Sequence, residues 1–394
     1  MVCMGMGLLV SACGGEEAVE VNAVFKADMV FAEVAMDQIC LAQGEAQLSC
    51  EPLMDVTLER TTSHAVELGD VDGDGDLDAV FVSDVVRADD DHMACLNTGN
   101  GEFECNTFFA DGHFSESLTL GDMDGDGDLD VVLSTRVVDN NRGTRLDQNR
   151  VCLGDGRGRF GCQRLSEDLT SSRGVAVADM NADGIPDAIF ANDAENSICF
   201  GQGSATFQCQ PVSADTVTSN AVAIGDVDKD GRLDIVFANS RQNHVCLQKS
   251  PLVFDCKEIE NNEDHSADVA LADFNGDGHL DAVFANDWRQ VEENPVRFQY
   301  SVPNRICLGN GKGSFNCRNL SDEEGYSSGL GVGDVNEDGH MDVVFANFRA
   351  KNTAALGQKN HACFGNGKGR FLCVEVNADF NFSFDVAIGN LDGQ

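Results

Sequence analysis

The sequence predicts an all-β protein, a seven-bladed β-propeller with four antiparallel strands per blade. Three observations carry this prediction. An aspartate-rich segment recurs along the chain, apolar β-forming runs flank each copy, and cysteines recur in pairs at one spacing. Successive aspartate-rich segments begin 52, 57, 47, 47, 61 and 56 residues apart. One period of this length is typical of one four-stranded blade.

Each repeat contains the same elements in the same order. A strand of small and apolar residues, such as residues 222–225, precedes the aspartate-rich segment, and a second apolar run, such as residues 282–285, follows it. The second run is rich in β-branched and aromatic residues, which favour strands. A hairpin such as residues 306–317 then contains the Gly and Asn cluster of a tight turn. The repeat therefore supplies four strands.

The aspartate-rich segment is predicted to be a calcium-binding loop. The copy that begins at Gly69 reads Gly-Asp-Val-Asp-Gly-Asp-Gly-Asp-Leu-Asp. Calcium prefers several oxygen ligands. Carboxylates or amides at loop positions 1, 3, 5 and 9 and the backbone carbonyl at position 7 would supply them, and Gly75 permits the sharp turn. An EF-hand is excluded, because position 12 is Phe81 or Leu133 instead of Glu and the flanking segments are strands.

Six loops are expected to hold structural calcium ions. Their predicted ligands, in chain order, are Asp70, Asp72, Asp74, Asp76 and Asp78; Asp122, Asp124, Asp126, Asp128 and Asp130; Asp179, Asn181, Asp183, Ile185 and Asp187; Asp226, Asp228, Asp230, Arg232 and Asp234; Asp273, Asn275, Asp277, His279 and Asp281; and Asp334, Asn336, Asp338, His340 and Asp342. A seventh segment carries Asn390, Asp392 and Gln394 and stops before position 9. Whether the seventh segment binds calcium is left open.

Fourteen of the sixteen cysteines form seven pairs with a spacing of ten residues. Zinc sites are the alternative, but the CxxC knuckles that usually mark them do not occur here. A turn midway between paired cysteines would place them opposite each other on neighbouring strands. The predicted disulfides are Cys40–Cys50, Cys95–Cys105, Cys152–Cys162, Cys199–Cys209, Cys246–Cys256, Cys307–Cys317 and Cys363–Cys373. Disulfides require an oxidising compartment, so an exported protein is expected.

The N-terminus is predicted to direct that export. Residues 1–13 form a short apolar run with small residues at its end, and residues 10–13, Val-Ser-Ala-Cys, are similar to a bacterial lipobox. We therefore expect a signal peptide at 1–13, lipidation of Cys13, a linker at 14–22 and the propeller at 23–394. An ordinary signal peptide or a misassigned start is the alternative. The predicted location is the bacterial cell envelope or surface, or otherwise a secreted or periplasmic protein, with no membrane contact beyond the lipid.

The two chain ends are predicted to share the last blade. Residues 28–32, 39–41 and Cys50 match the second half of a repeat, and residues 383–394 match only its first half. Three outer strands from the N-terminal segment and an innermost strand from the C-terminal segment would complete one blade and close the ring. A fragment of a longer chain is the alternative explanation, and the two are compatible.

These residues resemble a known family. The loop Asp-x-[Asp/Asn]-x-Asp-Gly-x-x-Asp, with a hairpin such as residues 304–315, is similar to FG-GAP/VCBS repeats over nearly all of 23–394. Such repeats build the propeller at the head of integrin α chains and in many bacterial surface proteins. Integrin-type repeats have Gly-Ala-Pro where this chain has Phe-Ala-Asn, as at 190–192. The resemblance is therefore to the bacterial type, and it implies no integrin-like ligand.

A ligand surface is predicted on the face opposite the calcium loops. Seven residues before each loop's first ligand lies a serine, which is interpreted as a turn-closing hydroxyl repeated by symmetry. The residue after each serine varies, and repeat proteins present binding surfaces through such positions. Long connections should bring Arg side chains and the single Trp to the same face. The candidate ligand residues are His64, Glu116, Arg173, Asn220, Trp288 and Arg289.

Charge and composition separate the possible functions. There are 67 acidic and 26 basic residues, for a formal net charge of -41, so a nucleic-acid partner is excluded. We expect a monomeric, non-enzymatic binding or adhesion module for a protein or glycan. The alternative is a calcium-dependent polysaccharide lyase or another carbohydrate-active propeller enzyme. A lyase needs a cluster of proton-transferring side chains, and only two tyrosines are present.

Overall fold

The computed structural model describes residues 2–4, 9–12, 20–22, 24–33, 37–42, 48–53, 62–83, 92–99, 101–109, 114–136, 138–140, 143–145, 148–167, 170–213, 216–250, 253–293, 296–349, 358–376 and 382–392. Within these ranges only the backbone is described for residues 2–22, 138–145, 288–300, 322–324 and 349. The described part is all-β, as predicted, and contains no helix. It accordingly offers no helix that could cross a membrane.

Three short strands precede the repeats. They are β1 (Val2–Met4), β2 (Leu9–Ala12) and β3 (Glu20–Asn22), and they form a small antiparallel sheet in the order β1-β2-β3. This sheet lies within the segment predicted to be a signal peptide and linker. Cys13, the predicted lipidation site, lies outside the described residues.

The rest of the described chain forms four-stranded antiparallel units. Unit 7 uses the next strands of the chain, which are β4 (Asp28–Glu33), β5 (Gln38–Leu41) and β6 (Ser49–Pro52). Unit 1 comprises β7 (Ser63–Gly69), β8 (Asp78–Ser83), β9 (His92–Asn97) and β10 (Phe103–Phe109). Unit 2 comprises β11 (Ser115–Gly121), β12 (Asp130–Thr135), β15 (Arg150–Gly154) and β16 (Phe160–Arg164), with a hairpin of β13 (Val138–Asn140) and β14 (Gly143–Arg145) between its second and third strands.

Units 3 and 4 repeat this pattern. Unit 3 comprises β17 (Ser172–Ala178), β18 (Asp187–Asn192), β19 (Ser197–Gly201) and β20 (Phe207–Pro211). Unit 4 comprises β21 (Ser219–Gly225), β22 (Asp234–Asn239), β23 (His244–Ser250) and β24 (Val253–Glu258). The second strand of each unit is buried along its whole length, whereas the fourth is largely exposed or half-buried.

Units 5 and 6 depart from the prediction of separate blades, because one strand runs through both. Unit 5 contains β25 (Asp264–Ala272), β26 (Asp281–Glu293) and β28 (Val302–Gly309), and β27 (Val296–Tyr300) pairs with the extended end of β26. Strand β29 (Phe315–Gly333) is the outer strand of unit 5 and the inner strand of unit 6, which continues with β30 (Asp342–Arg349), β31 (His361–Gly365) and β32 (Phe371–Glu375). The connection stays extended because Glu324 and Gly325 pair with Pro303 and Val302.

The two ends of the chain share unit 7. Strand β33 (Ser383–Gly389) pairs antiparallel with β4, and the sheet has the order β33-β4-β5-β6. The pairing joins Gly389 to Asp28 and Val386 to Phe31. The innermost strand of this unit therefore comes from the C-terminal segment, as the repeat pattern predicts.

The hydrophobic core is divided among the contacts between units. Each of seven clusters in the described part combines side chains from two adjacent units. In one of them Phe31 and Val386 of unit 7 join Phe364 of unit 6, and in another Val30 joins Phe81 of unit 1. Unit 7 thus packs against units 6 and 1 on its two sides.

The seven predicted disulfides are confirmed. Each joins the third and fourth strands of one unit, and each cysteine lies directly opposite its partner in the strand register, as in Cys95 and Cys105. The Cα atoms of the paired cysteines are 3.8–4.0 Å apart. These bonds indicate an oxidising, extracytoplasmic environment.

Candidate functional site

The aspartate-rich loops fold around the carboxylate at position 1. In unit 1, Oδ1 of Asp70 accepts hydrogen bonds from the backbone N–H groups of Gly73 and Asp74 at 2.7 and 3.1 Å, and its Oδ2 accepts one from Gly75 at 3.1 Å. Gly73 and Gly75 have φ angles of 78° and 99°, a left-handed conformation that favours glycine. The loop thereby curls so that its carboxylates converge.

The same wrapping recurs in the next five loops. In each, the N–H group of the glycine at position 6 donates to Oδ2 of the aspartate at position 1, at 2.7–3.1 Å. The glycines are Gly127, Gly184, Gly231, Gly278 and Gly339. The predicted position 7 residues Asp76, Asp128, Ile185, Arg232, His279 and His340 each donate their N–H group to the carboxylate at position 5.

The aspartate at position 9 has a second role that the sequence did not reveal. Oδ2 of Asp78 accepts a hydrogen bond from the N–H group of Val71 in its own loop, and Oδ1 accepts one from Asn97 at the end of the third strand. The equivalent carboxylates of Asp130, Asp187, Asp234, Asp281 and Asp342 bridge the same two backbone positions. Position 9 therefore fastens each loop to its own hairpin.

Asp28 occupies position 9 of the seventh loop, although it lies at the other end of the chain. Its Oδ2 accepts from Leu391 at 2.8 Å and its Oδ1 accepts from Ala42 at 2.7 Å, which is the same bridge. Asp392 lies close enough to raise the pKa of Asp28, although burial is the larger cause. The sequence did contain an indication of this role for Asp28, because Asp28 precedes an apolar run in the same way that Asp78 does. Gln394 lies outside the described residues.

The residues of these loops fit a calcium ion. One oxygen from each of Asp70, Asp72 and Asp78 lies within 4.8 Å of the others, and the equivalent atoms of unit 2 converge in the same way. In unit 4 the carboxylates of Asp226, Asp228 and Asp230 do so. Oδ1 of Asp228 is buried and has no hydrogen-bond partner among the described residues. Several hard oxygens at this spacing are the ligand set that calcium prefers.

Burial and, to a smaller extent, neighbouring carboxylates raise the pKa of the position 9 aspartates. Burial is the main cause that raises the pKa of Asp78 to about 6, hydrogen bonds from Asn97 and Val71 oppose the rise, and the charges of Asp72 and Asp74 add to it. The pKa of Asp342 rises to about 7, again mainly through burial. A bound cation would relieve this repulsion, since opposite charge favours the ionised form.

Six of the seven loops are also hydrogen-bonded to the following unit among the described residues. The carbonyl oxygen at position 2 accepts a bond from the next hairpin, as Val71 does from Gly158 and Phe274 from Gly369, both at 3.0 Å. Val335 accepts from Lys26, and Leu391 accepts from Asn97 of unit 1. Loop geometry is therefore tied to the contacts between units.

The repeated serines lie on the opposite face and are buried. Oγ of Ser219 accepts a hydrogen bond from Nδ2 of Asn196 in the preceding unit at 2.9 Å and donates to Oδ1 of Asn239 in its own unit at 2.7 Å. Ser172, Ser266 and Ser327 make the same pair of bonds. These hydroxyls therefore connect units, which agrees with a structural interpretation of the serines.

The varying residues after these serines line a common cavity of about 270 Å³ among the inner strands. Four of the predicted ligand residues line it, namely His64, Glu116, Arg173 and Asn220. Trp288 and Arg289 have their backbones in β26, paired with His265 and Asp264, and their side chains lie outside the described part. Asp268, His265, Phe384 and Asp385 also line the cavity and were not predicted as ligand residues.

One wall of the cavity is aromatic. The rings of His64 and Phe384 stack with their centroids 4.2 Å apart, and Phe348 lies 4.7 Å from Phe384. The ring centroid of Phe114 lies 5.3 Å from that of His64. This wall presents apolar ring surface beside polar groups.

The facing wall carries ion pairs and amides. Glu116 binds Arg136 at 2.6 Å and lies 3.8 Å from Arg173, whose Nε donates to Asp193 at 2.6 Å. These contacts and the neighbouring Ser171 lower the pKa of Asp193 against the opposing effect of burial. Nδ2 of Asn220 donates to the carbonyl oxygen of Ser266, while its Oδ1 is buried without a partner among the described residues.

Repeated antiparallel sheets, seven inter-unit core clusters and an acidic loop in each repeat define a propeller-type repeat protein. A model of the FG-GAP-like repeat matches residues 70–133, 179–237, 226–284 and 273–345. The chain therefore belongs to the family of proteins with FG-GAP-like repeats. No curated protein matches the sequence.

Solved structures support the fold. A lectin of Agrocybe aegerita that specifically recognises non-reducing terminal N-acetylglucosamine is similar, with a TM-score of 0.61 and 18% identity over 95% of this chain and 98% of the lectin chain. A functionally unknown protein from Desulfotomaculum acetoxidans DSM 771 has a TM-score of 0.55 and 8% identity over 93% of this chain and 100% of its own. At these identities the likeness concerns the fold alone.

Proposed function

We propose that this protein is an exported, calcium-stabilised propeller that binds a glycan, without catalysis, in the cavity among its inner strands. The observation that carries the proposal is the division of that cavity into an aromatic wall at His64 and Phe384 and a polar wall at Glu116, Arg173 and Asn220. The C–H edges of a sugar ring pack on aromatic faces, and its hydroxyl groups bind amides and charged side chains. The likeness to a lectin supports the same class of ligand.

The proposal includes a closed ring of seven blades. Pairing of β33 with β4, the bond from Leu391 to Asp28 and the packing of unit 7 against units 6 and 1 all support closure. A closed ring brings one varying residue from each inner strand to the same cavity. The cavity is then a property of the whole ring.

The loops are proposed to hold structural calcium, and the seven disulfides support a location outside the cytoplasm. A lipid on Cys13 is proposed to anchor the protein, which is expected to be monomeric. Mass spectrometry of the purified native protein, compared with a Cys13→Ala variant, tests the anchor. A native N-terminal peptide of unmodified mass would rule it out.

A glycan array with 1 mM calcium, probed with the purified protein, tests the binding function. We expect binding to a restricted set of glycans, and Phe384→Ala should weaken it about tenfold, since an aromatic contact is worth about 0.5–1.5 kcal/mol beyond its buried area. Val253→Ala, at an exposed apolar residue of β24, is the control and should bind normally.

Three outcomes would contradict the proposal. Equal affinities for the two variants would place the ligand elsewhere, and a blank array would exclude the glycans tested as ligands. A parallel depolymerisation assay on acidic polysaccharides is expected to release no product. Release of product would favour the lyase instead.

A further inference from the structure

Two aspartates interrupt a pattern of small residues at the floor of the cavity. The second residue after each repeated serine is Ala65, Ser117, Gly174, Ala221 or Gly329 in five units, and Asp268 or Asp385 in the other two. Inner strands approach closely here, since a Cβ atom at Gly329 would lie 2.5 Å from the carbonyl oxygen of Phe384. Close approach explains the small residues but not the two carboxylates.

The two aspartates place two acidic side chains on one half of the cavity, where no Arg or Lys is among the described lining residues. On the opposite half, Glu116 and Asp193 balance Arg136 and Arg173 through the ion pairs described above. Among the described residues that line the cavity, Arg173 is the one permanent cation, and it lies on that balanced half. Asp268 and Asp385 therefore lack an equivalent partner.

Burial and mutual repulsion act on these carboxyl groups together. Burial raises the pKa of both, and the charge of Asp268 adds to the rise at Asp385, with a smaller contribution from Glu67. Hydrogen bonds from Leu330 and Val269 to Asp268, and from Val66 and Val386 to Asp385, oppose the rise. A cation placed beside them would remove the repulsion.

Other groups around the cavity suit the same ligand. Asp385 directly follows Phe384, whose ring belongs to the aromatic wall. Oδ1 of Asn220 is buried without a partner in the described part of the chain, and a donor on the ligand would satisfy it. A volume of about 270 Å³ is slightly below the usual range of small-molecule sites, so the cavity suits a single sugar residue and not a longer chain.

We propose that the cavity selects a sugar residue with a free amino group, whose ammonium lies between the carboxylates of Asp268 and Asp385. This inference rests on the proposed glycan-binding function and names the class of sugar. The competing explanation is that both aspartates only bind the backbone of the neighbouring inner strands. The two explanations differ in ligand preference, which a structural role would not change.

Calorimetric titration at pH 7 with 1 mM calcium tests the inference on the unmodified protein. Matched ligand pairs are chitosan and chitin oligosaccharides of equal length, and galactosamine and galactose. We expect the free-amine member of at least one pair to bind about tenfold more tightly, which corresponds to about 1.4 kcal/mol. Equal binding, or preference for the uncharged member, overturns the inference and leaves the proposed glycan function standing.

Variants separate the ammonium contact from general binding. Asp385→Asn and Asp268→Asn should each reduce the preference toward parity, whereas Phe384→Ala should weaken both members of a pair. Glu104→Gln, at an exposed residue of β10, is the charge-matched control and should keep the full preference. Retention of the preference in both aspartate variants, with melting temperatures unchanged, also overturns the inference. Absence of binding by any sugar refutes the proposed function, and this inference with it.

Discussion

Asp37 is the most informative single position for testing stability. It lies in the hydrogen-bond network between units, at a position where five other units have an asparagine. Five units have Asn149, Asn196, Asn243, Asn304 or Asn360 at the equivalent place, where the amide binds both the preceding strand and the next unit's serine. Asp37 is buried, accepts from the N–H group of Glu33 at 2.9 Å and accepts from Oγ of Ser63 at 2.8 Å. It joins unit 7 to unit 1.

Burial makes this network pH-dependent. Desolvation raises the pKa of Asp37 from 3.8 to about 7, against the two hydrogen bonds that lower it. Since the folded pKa exceeds the unfolded one, the native protein retains this proton between pH 4 and 7. The contribution of the protonated Asp37 carboxyl group to stability is therefore complete below about pH 4 and is lost as the pH rises to about 7. At about 1.4 kcal/mol per pKa unit, the loss is about 4 kcal/mol.

Asp37→Asn should remove this loss, since an amide keeps one acceptor and supplies a donor to Ser63, as in the other units. We expect the variant to exceed the wild type by about 2–4 kcal/mol at pH 8 and by less than about 1 kcal/mol at pH 4. Urea unfolding at pH 4, 6 and 8, with calcium present and the disulfides oxidised, measures the difference by linear extrapolation.

Asp155→Asn is the control for this prediction, because Asp155 is exposed in a hairpin turn. It should leave the free energy of unfolding within about 0.5 kcal/mol of the wild type. A stability difference for Asp37→Asn that is the same at pH 4 and pH 8 would refute the reasoning, and so would a loss of stability at pH 8.

Three further predictions concern the repeated elements. Removal of calcium with EDTA should lower the melting temperature by several degrees. At 10 mM calcium, an ion with a dissociation constant of about 0.1–1 mM stabilises the folded protein by about 1.4–2.7 kcal/mol per site. An unchanged melting curve would exclude structural calcium. Ser219→Ala should cost about 2–4 kcal/mol in urea unfolding, because two buried hydrogen bonds are lost, and a cost as small as that of Ser250→Ala at an exposed serine would contradict the network. Replacing Cys246 and Cys256 together by serine should lower the free energy of unfolding by about 2–3 kcal/mol, because the disulfide restricts the unfolded chain. A variant as stable as the wild type would show that this restriction contributes nothing for so short a loop.

Local periodicity was sufficient to predict much of the fold. The cysteine spacing predicted the register of the outer hairpins, and the half-repeats at residues 28–50 and 383–394 predicted the pairing of β33 with β4. Both follow from a repeat that aligns with itself. Neither required knowledge of contacts between different repeats.

Features that depend on contacts between units were missed. Asp28 completes a loop more than 350 residues away, and the position 9 aspartates bridge to strands that a ligand motif does not include. The sequence did not indicate Asp268 and Asp385 as cavity residues, because the position before them varies more among the units. The continuous β29 arises from pairing with Val302 and Pro303, and no local signal in residues 320–325 indicates it.

The bonds between the loops and the following units have a mechanical consequence. Tension applied to the N-terminal segment reaches residues 26–28, where Lys26 binds Val335 of unit 6 and Asp28 binds Leu391 at the C-terminal end. Such a load is shared at once between two neighbouring repeats and the other chain end. Peeling the chain from its N-terminus therefore requires several bonds to break in parallel.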